Sequence, residues 1–126
     1  MKKILPILLL ILATNVAMAQ DNEALKKHYL KIYDQGLAYN DVSASINALH
    51  GYLAIDNSLN YKDTLSMLYF SVKNYYSALL LGEEVYKAQP ENVSAMARSA
   101  ECYDELGDPK TAVTLYEQVV PKTKNP

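Results

Sequence analysis

The chain of 126 residues contains no tryptophan, one phenylalanine and one cysteine. A single cysteine cannot form an internal disulfide, so disulfide bonds within the chain do not hold the fold together. Only four glycines and five prolines are present, and no long run alternates between apolar and polar residues. Because alternating runs and frequent turn residues are typical of β-proteins, their scarcity favours an all-α fold. At this length the chain forms one domain at most.

The first 19 residues have the pattern of a secretory signal peptide. Lys2 and Lys3 precede an apolar run from Ile4 to Leu12, and Ala17-Met18-Ala19 is a small-x-small cleavage sequence. We expect cleavage after Ala19 and export of residues 20–126 to the periplasm or to the outside of the cell. The alternative is an uncleaved membrane anchor. The apolar run is shorter than the roughly 20 residues of a spanning helix, so no stable membrane insertion is expected after cleavage.

The predicted exported part lacks an excess of positive charge. Removal of Lys2 and Lys3 leaves 10 Lys and Arg against 14 Asp and Glu, a net charge of about −4. Nucleic acids and anionic membranes attract basic surfaces. The acidic balance therefore argues against both as partners.

No combination of residues typical of catalysis is present. His28 and His50 are the two histidines, and neither has an acidic or cysteine ligand at metal-binding spacing. The acidic pairs Glu83-Glu84 and Asp104-Glu105 are adjacent on predicted helices, so their side chains diverge. Cys102 is expected to be a small buried residue, with a reactive thiol as the alternative. The sequence also lacks a phosphate-binding glycine loop and a nucleophile elbow. It therefore predicts no enzyme, no cofactor and no metal site.

Apolar positions recur at helical spacing through the rest of the chain. The predicted helices cover residues 21–38, 42–55, 60–72 and 75–88, and two more lie within 92–120. Gly107 suits the left-handed end of a helix, Asp108 suits an N-cap, and Pro109 suits the first helical position. Short polar turns join the six helices, as in antiparallel helix pairs.

Equivalent residues recur every 34 positions. Ala44, Ala78 and Ala112 keep this interval, and the turn residues Asn40, Asn74 and Asp108 keep it as well. This spacing resembles that of the tetratricopeptide repeat family, whose repeats are helix pairs of that length. The predicted repeats are approximately 25–58, 59–92 and 93–126. The third matches the family best, at Ala100, Tyr103, Gly107-Asp108, Ala112 and Tyr116. The second has Gly82 where an aromatic residue is usual, and the first has Gln35 in the tyrosine position.

The resemblance implies a short right-handed α-solenoid of three antiparallel helix pairs, within residues 20–126. It also implies a non-catalytic protein–protein interaction scaffold of the bacterial cell envelope, which binds a peptide or partner protein in a concave groove. The implied groove positions are Tyr29, Tyr33, Asp63, Met67, Phe70, Arg98, Glu101 and Glu105.

Two other interpretations of this groove stay open. In one of them, the aromatic side chains of Tyr29, Tyr33 and Phe70 pack between helices instead of lining the groove. Tyrosine is suited to a groove surface and to packing between helices. In the other, the chain is a small-ligand or glycan-binding accessory protein that uses the groove tyrosines. Some family members bind the terminal carboxylate of a partner with lysine and asparagine side chains in the groove. The corresponding positions here hold Leu30, Tyr33, Thr64, Met67, Arg98 and Glu101. Only Arg98 could bind a carboxylate, so this function is not expected.

The sequence stops where a fourth repeat would begin. The last predicted helix has its apolar stripe at Ala112, Val113, Tyr116, Val119 and Val120. It would then expose part of Ala112 and an end surface formed by Val113, Tyr116 and Val120. Solenoids normally cover such a surface with a polar capping helix. We expect self-association or a partner to cover it, unless the sequence is a truncated copy that lacks C-terminal repeats.

Overall fold

The computed structural model describes residues 5–123, and every regular element in that range is an α-helix. The prediction of an all-α fold is therefore confirmed. The helices are α1 (Leu5–Ala38), α2 (Val42–Ile55), α3 (Leu59–Ser71), α4 (Tyr75–Ala88), α5 (Val93–Glu105) and α6 (Pro109–Thr123). Lys2, Lys3 and Ile4 of the predicted signal peptide lie outside the described residues, as do positions 124–126 of the predicted third repeat.

Helix α1 is longer than predicted. The prediction for the first helix begins at residue 21, but the helix runs without a break from Leu5, through the predicted cleavage site. Its N-terminal part exposes apolar side chains, with Leu9 and Leu10 64% and 69% accessible. Within residues 5–123, no helix combines the length and the apolar character that crossing a membrane requires.

Helices α1 and α2 form the first of two compact units, which ends at Asp56. The Ser45 hydroxyl on α2 donates a hydrogen bond to the backbone carbonyl of Tyr33 on α1, at 3.0 Å. Further along α2, the ring of Tyr29 lies where a Cβ on Gly51 would stand. Because later residues of α2 meet earlier residues of α1, the two helices are antiparallel.

Helices α3 to α6 form the second unit, which begins at Asn57, and each packs against the next in chain order. The Ser66 hydroxyl on α3 donates to the carbonyl of Ala78 on α4, at 2.7 Å. Gly82 on α4 lies directly against Ser99 on α5. Two apolar clusters fill the interior: Ala78, Leu79 and Cys102, and then Met96, Ala100, Leu115 and Val119. The unit begins close to the predicted second repeat at residue 59, although the repeat boundaries themselves stay predictions.

The turn inside each helix pair contains one residue with positive φ. These residues are Asn40 (59°), Lys73 (60°) and Gly107 (88°). Glycine and asparagine enter this region readily, whereas lysine does so at a cost of about 1 kcal/mol, so the sequence did not predict Lys73 here. A side-chain oxygen then caps the following helix in each pair, from Asp41, Asn74 and Asp108.

The buried stripe of α6 differs from the predicted one. Ala112, Leu115 and Val119 face α5, whereas the prediction omitted Leu115 and included Val113, Tyr116 and Val120. The buried residues are three and four positions apart, as a single helical face requires. Ala112 is 2% accessible, so the expectation that it would be partly exposed is wrong.

Candidate functional site

Helices α3 and α5 lie beside one another in the second unit and run in the same direction. Asp63 and Arg98 join their N-terminal halves by an ion pair. Towards their C-terminal ends, Phe70 on α3 packs against the cluster that contains Cys102 of α5. One side of this pair presents side chains to the solvent. We call it the α3–α5 face, and define it by Met67 and Phe70 of α3 and by Glu101 and Glu105 of α5. Tyr75 of α4 is included because its ring contacts Phe70.

The ion pair between α3 and α5 is largely buried. Two guanidinium nitrogens of Arg98 donate to the same carboxylate oxygen of Asp63, each at 2.8 Å. Arg98 also donates to the Ser66 hydroxyl at 2.9 Å, and the Asn92 amide donates to the other carboxylate oxygen of Asp63 at 3.2 Å. The Arg98 and Asp63 side chains are 8% and 23% accessible. Both charges are therefore used inside the unit, although both residues were predicted to line a groove.

The remaining groove candidates of the second unit are accessible. Met67 is 53% exposed, and Glu101 and Glu105 are exposed as well. Phe70 is half-buried and meets the ring of Tyr75 edge-on, at a centroid distance of 5.7 Å and an angle of 67°. Burial raises the pKa of Tyr75, and the negative charges of Glu105 and Glu101 raise it further. Like Phe70, Tyr75 packs against the cluster that contains Cys102 of α5, although the sequence did not assign it to the groove.

Tyr75 was missed because the groove was inferred from the first helix of each pair alone. This tyrosine opens α4, the second helix of its pair. The turn between α3 and α4 brings it back to Phe70. Two aromatic residues separated by a short turn were the available signal.

The two groove candidates of the first unit are half-buried on α1. The ring of Tyr29 occupies the space beside Gly51 and contacts the His28 ring at a centroid distance of 5.9 Å. Tyr33 contributes its backbone carbonyl to a hydrogen bond from Ser45. For Tyr29 this arrangement supports helix packing, the interpretation that the sequence left open.

The predicted end surface lies on α6, where Val113, Tyr116 and Val120 are 55%, 40% and 47% accessible. Burial raises the pKa of the Tyr116 hydroxyl, and the charges of Glu101 and Asp104 raise it further. Whether another chain covers this surface stays a prediction.

Two further groups on α5, one buried and one half-buried, contact α4. Cys102 is fully buried, as predicted, and burial raises the pKa of its thiol to about 11. The Tyr103 hydroxyl donates a hydrogen bond to Glu83 on α4, and this bond, together with burial, raises the pKa of Tyr103 to about 12. Both groups are therefore protonated at neutral pH and hold α5 against α4. Within the described range, no three His, Cys, Asp or Glu residues are grouped so that they could hold a metal ion.

Residues 69–126 match the family model described as tetratricopeptide repeat. The resemblance predicted from the 34-residue spacing is thereby confirmed over this segment, which begins near the end of α3. A search of curated proteins gives no significant match.

Several solved structures share the fold. A crystal structure of MamA protein is 18% identical, with a TM-score of 0.67, and the match covers 77% of this chain and 54% of that one. The second TPR of Spaghetti (RPAP3), bound to the HSP90 peptide SRMEEVD, is 17% identical, with a TM-score of 0.67 and coverages of 82% and 96%. The Sgt2 TPR domain from Aspergillus fumigatus is 19% identical, with a TM-score of 0.63 and coverages of 83% and 68%. This chain spans little more than half the length of the two MamA chains it matches.

Proposed function

We propose that this chain is a non-catalytic protein-interaction module that binds a peptide segment of a partner protein on the α3–α5 face. The observation that carries the proposal is the exposure of Met67 on α3, three residues before Phe70, whose ring contacts Tyr75, in a tetratricopeptide repeat fold. The similar RPAP3 repeat was solved with a peptide bound, which supports peptide binding as the function of this fold. The glycan-binding alternative draws no support from Tyr29, because its ring packs against Gly51.

Selection of random peptides displayed on phage tests this proposal. We expect the purified protein to enrich peptides that bind saturably. Replacement of Met67 by serine should weaken their binding several-fold, because an exposed apolar side chain near the centre of an interface contributes strongly to affinity.

Leu80→Ser is the matched control. Leu80 on α4 is 51% accessible, nearly the same as Met67, but it is not part of the α3–α5 face. The control variant should bind as the wild type does. Failure to enrich any peptide, or an equal loss of affinity in both variants, would contradict the proposal.

We further propose that the protein is exported to the cell envelope and that cleavage follows Ala19. The supporting features are Lys2, Lys3, the apolar run and the small residues at positions 17 and 19. Intact-mass measurement after expression in a bacterial host should give the mass of residues 20–126. Ala19→Leu should block cleavage and leave the longer chain, because the peptidase site accepts only small residues there. Recovery of the wild-type chain with residues 1–19 attached would support the membrane-anchor alternative instead.

A further inference from the structure

The α3–α5 face carries negative charge that the second unit does not neutralise. Glu101 and Glu105 are both exposed, and neither forms an ion pair with any residue between 5 and 123. The one basic residue on α5 is Arg98, whose guanidinium is already bonded to Asp63. The chain therefore provides the face with two free carboxylates and no cation on α5 to balance them.

The position of these acids within α5 strengthens the negative potential. The C-terminal end of a helix carries a partial negative charge, which favours lysine or arginine there. Helix α5 ends instead with Asp104 and Glu105, and it has no basic residue in its last turn. Their charge adds to that of the helix end, so the acids give α5 no electrostatic stabilisation. A positive charge supplied from outside would relieve this repulsion.

The apolar part of the face suits the aliphatic stem of a basic side chain. Met67 is half exposed, and the Phe70 and Tyr75 rings lie edge-on to one another and pack against the cluster that contains Cys102, the residue after Glu101. Lysine and arginine pack their methylene groups on apolar surface while the charged head stays at its edge. Aromatic rings also attract cations through their faces. The combination is therefore complementary to a basic side chain in both charge and shape.

We propose that the α3–α5 face binds a peptide segment in which lysine or arginine side chains alternate with apolar ones. Glu101 and Glu105 bind the cationic heads, and Met67, Phe70 and Tyr75 contact the stems and the apolar neighbours. This inference rests on the proposed function and specifies the chemical class of its partner.

Fluorescence anisotropy with three labelled peptides of equal length tests the inference on the full chain. The peptides alternate leucine with lysine, with glutamine or with glutamate. We expect the lysine peptide to bind on the order of tenfold more tightly than the glutamate peptide. The preference should shrink between about 50 mM and about 300 mM NaCl, because salt screens exposed charges.

Glu101→Gln/Glu105→Gln should weaken binding of the lysine peptide about tenfold and flatten its salt dependence. The control is Glu91→Gln/Glu117→Gln, which removes the same net charge from two exposed acids outside the face and should change little. Equal binding of the three peptides, or equal losses in the two double variants, would overturn the cationic specificity and leave peptide binding intact. If no peptide binds at all, the proposed function fails together with this inference.

Discussion

Gly82→Ala lowers the free energy of unfolding by about 1 kcal/mol, and Gly82→Leu lowers it by about 3 kcal/mol. A Cβ at this position would lie 2.5 Å from the Ser99 hydroxyl oxygen and 3.4 Å from that of Ser66. To admit it, either the Ser99 hydroxyl must give up its hydrogen bond to the Ala95 carbonyl or helices α4 and α5 must separate. Helix propensity alone would give the opposite result. Alanine and leucine are each better helix formers than glycine by up to about 1 kcal/mol, so without the close contact both substitutions would stabilise α4.

Urea denaturation followed by far-UV circular dichroism gives these free energies. The same substitutions are then measured in a Ser99→Ala variant, which lacks the hydroxyl oxygen nearest to Gly82. This hydroxyl donates its hydrogen bond to the Ala95 carbonyl within α5, so its removal breaks no bond between helices. In that background Gly82→Ala should be neutral or stabilising. A stabilising effect of Gly82→Ala in the wild-type protein would show that the Ser99 hydroxyl does not restrict this position.

The local features of the fold could be predicted from the sequence. The bounds of α2 and α4 agree with the prediction, and those of α3 differ by one residue at each end. Gly107 has the positive φ expected of it, and the Asp108 carboxylate accepts a hydrogen bond from the backbone of Thr111 at 3.1 Å. Such features depend on a few neighbouring residues, so their signals lie within one turn of chain.

Features set by packing between helices were harder to predict. The sequence shows that Gly82 departs from the family pattern, but only the approach of Ser99 explains the departure. The repeat alignment assigned Arg98 to the groove, but its side chain is 8% accessible and bonded to Asp63. Its partner Asp63 lies 35 positions earlier, on the preceding helix pair. Opposite charges about one repeat apart were the signal that could have identified this pair.

The candidate surface was predicted in part. Met67, Glu101 and Glu105, which the repeat alignment assigns to the groove, are exposed, and Tyr75 of α4 packs against Phe70. The repeat period identifies positions on helices, but it does not identify which charges are already paired within the fold. Their role in binding stays a prediction.

Arg98→Met is expected to lower the free energy of unfolding by about 2 to 3 kcal/mol. The Asp63 side chain is 23% accessible, and in the variant its carboxylate keeps only the Asn92 amide as a side-chain hydrogen-bond donor. The variant also removes the guanidinium that donates to the Ser66 hydroxyl. Breaking a buried ion pair at one partner typically costs about 3 to 5 kcal/mol, and the partial exposure of Asp63 reduces that figure. Urea denaturation measures the change.

Lys62→Met is the control, since the carboxylate of its partner Glu84 is 56% accessible and the pair should contribute less than about 1 kcal/mol. Arg98→Lys should fall between the wild type and Arg98→Met, because one ammonium cannot reproduce the paired bonds to Asp63 and the bond to Ser66. Adding Asp63→Leu to Arg98→Met should recover part of the loss, since no unpaired charge remains. A loss from Arg98→Met no larger than from Lys62→Met would show that the pair with Asp63 contributes no more than an exposed ion pair. A guanidinium held so weakly could turn to balance Glu101, and the face would then lose the excess negative charge on which its preference for a cationic partner depends.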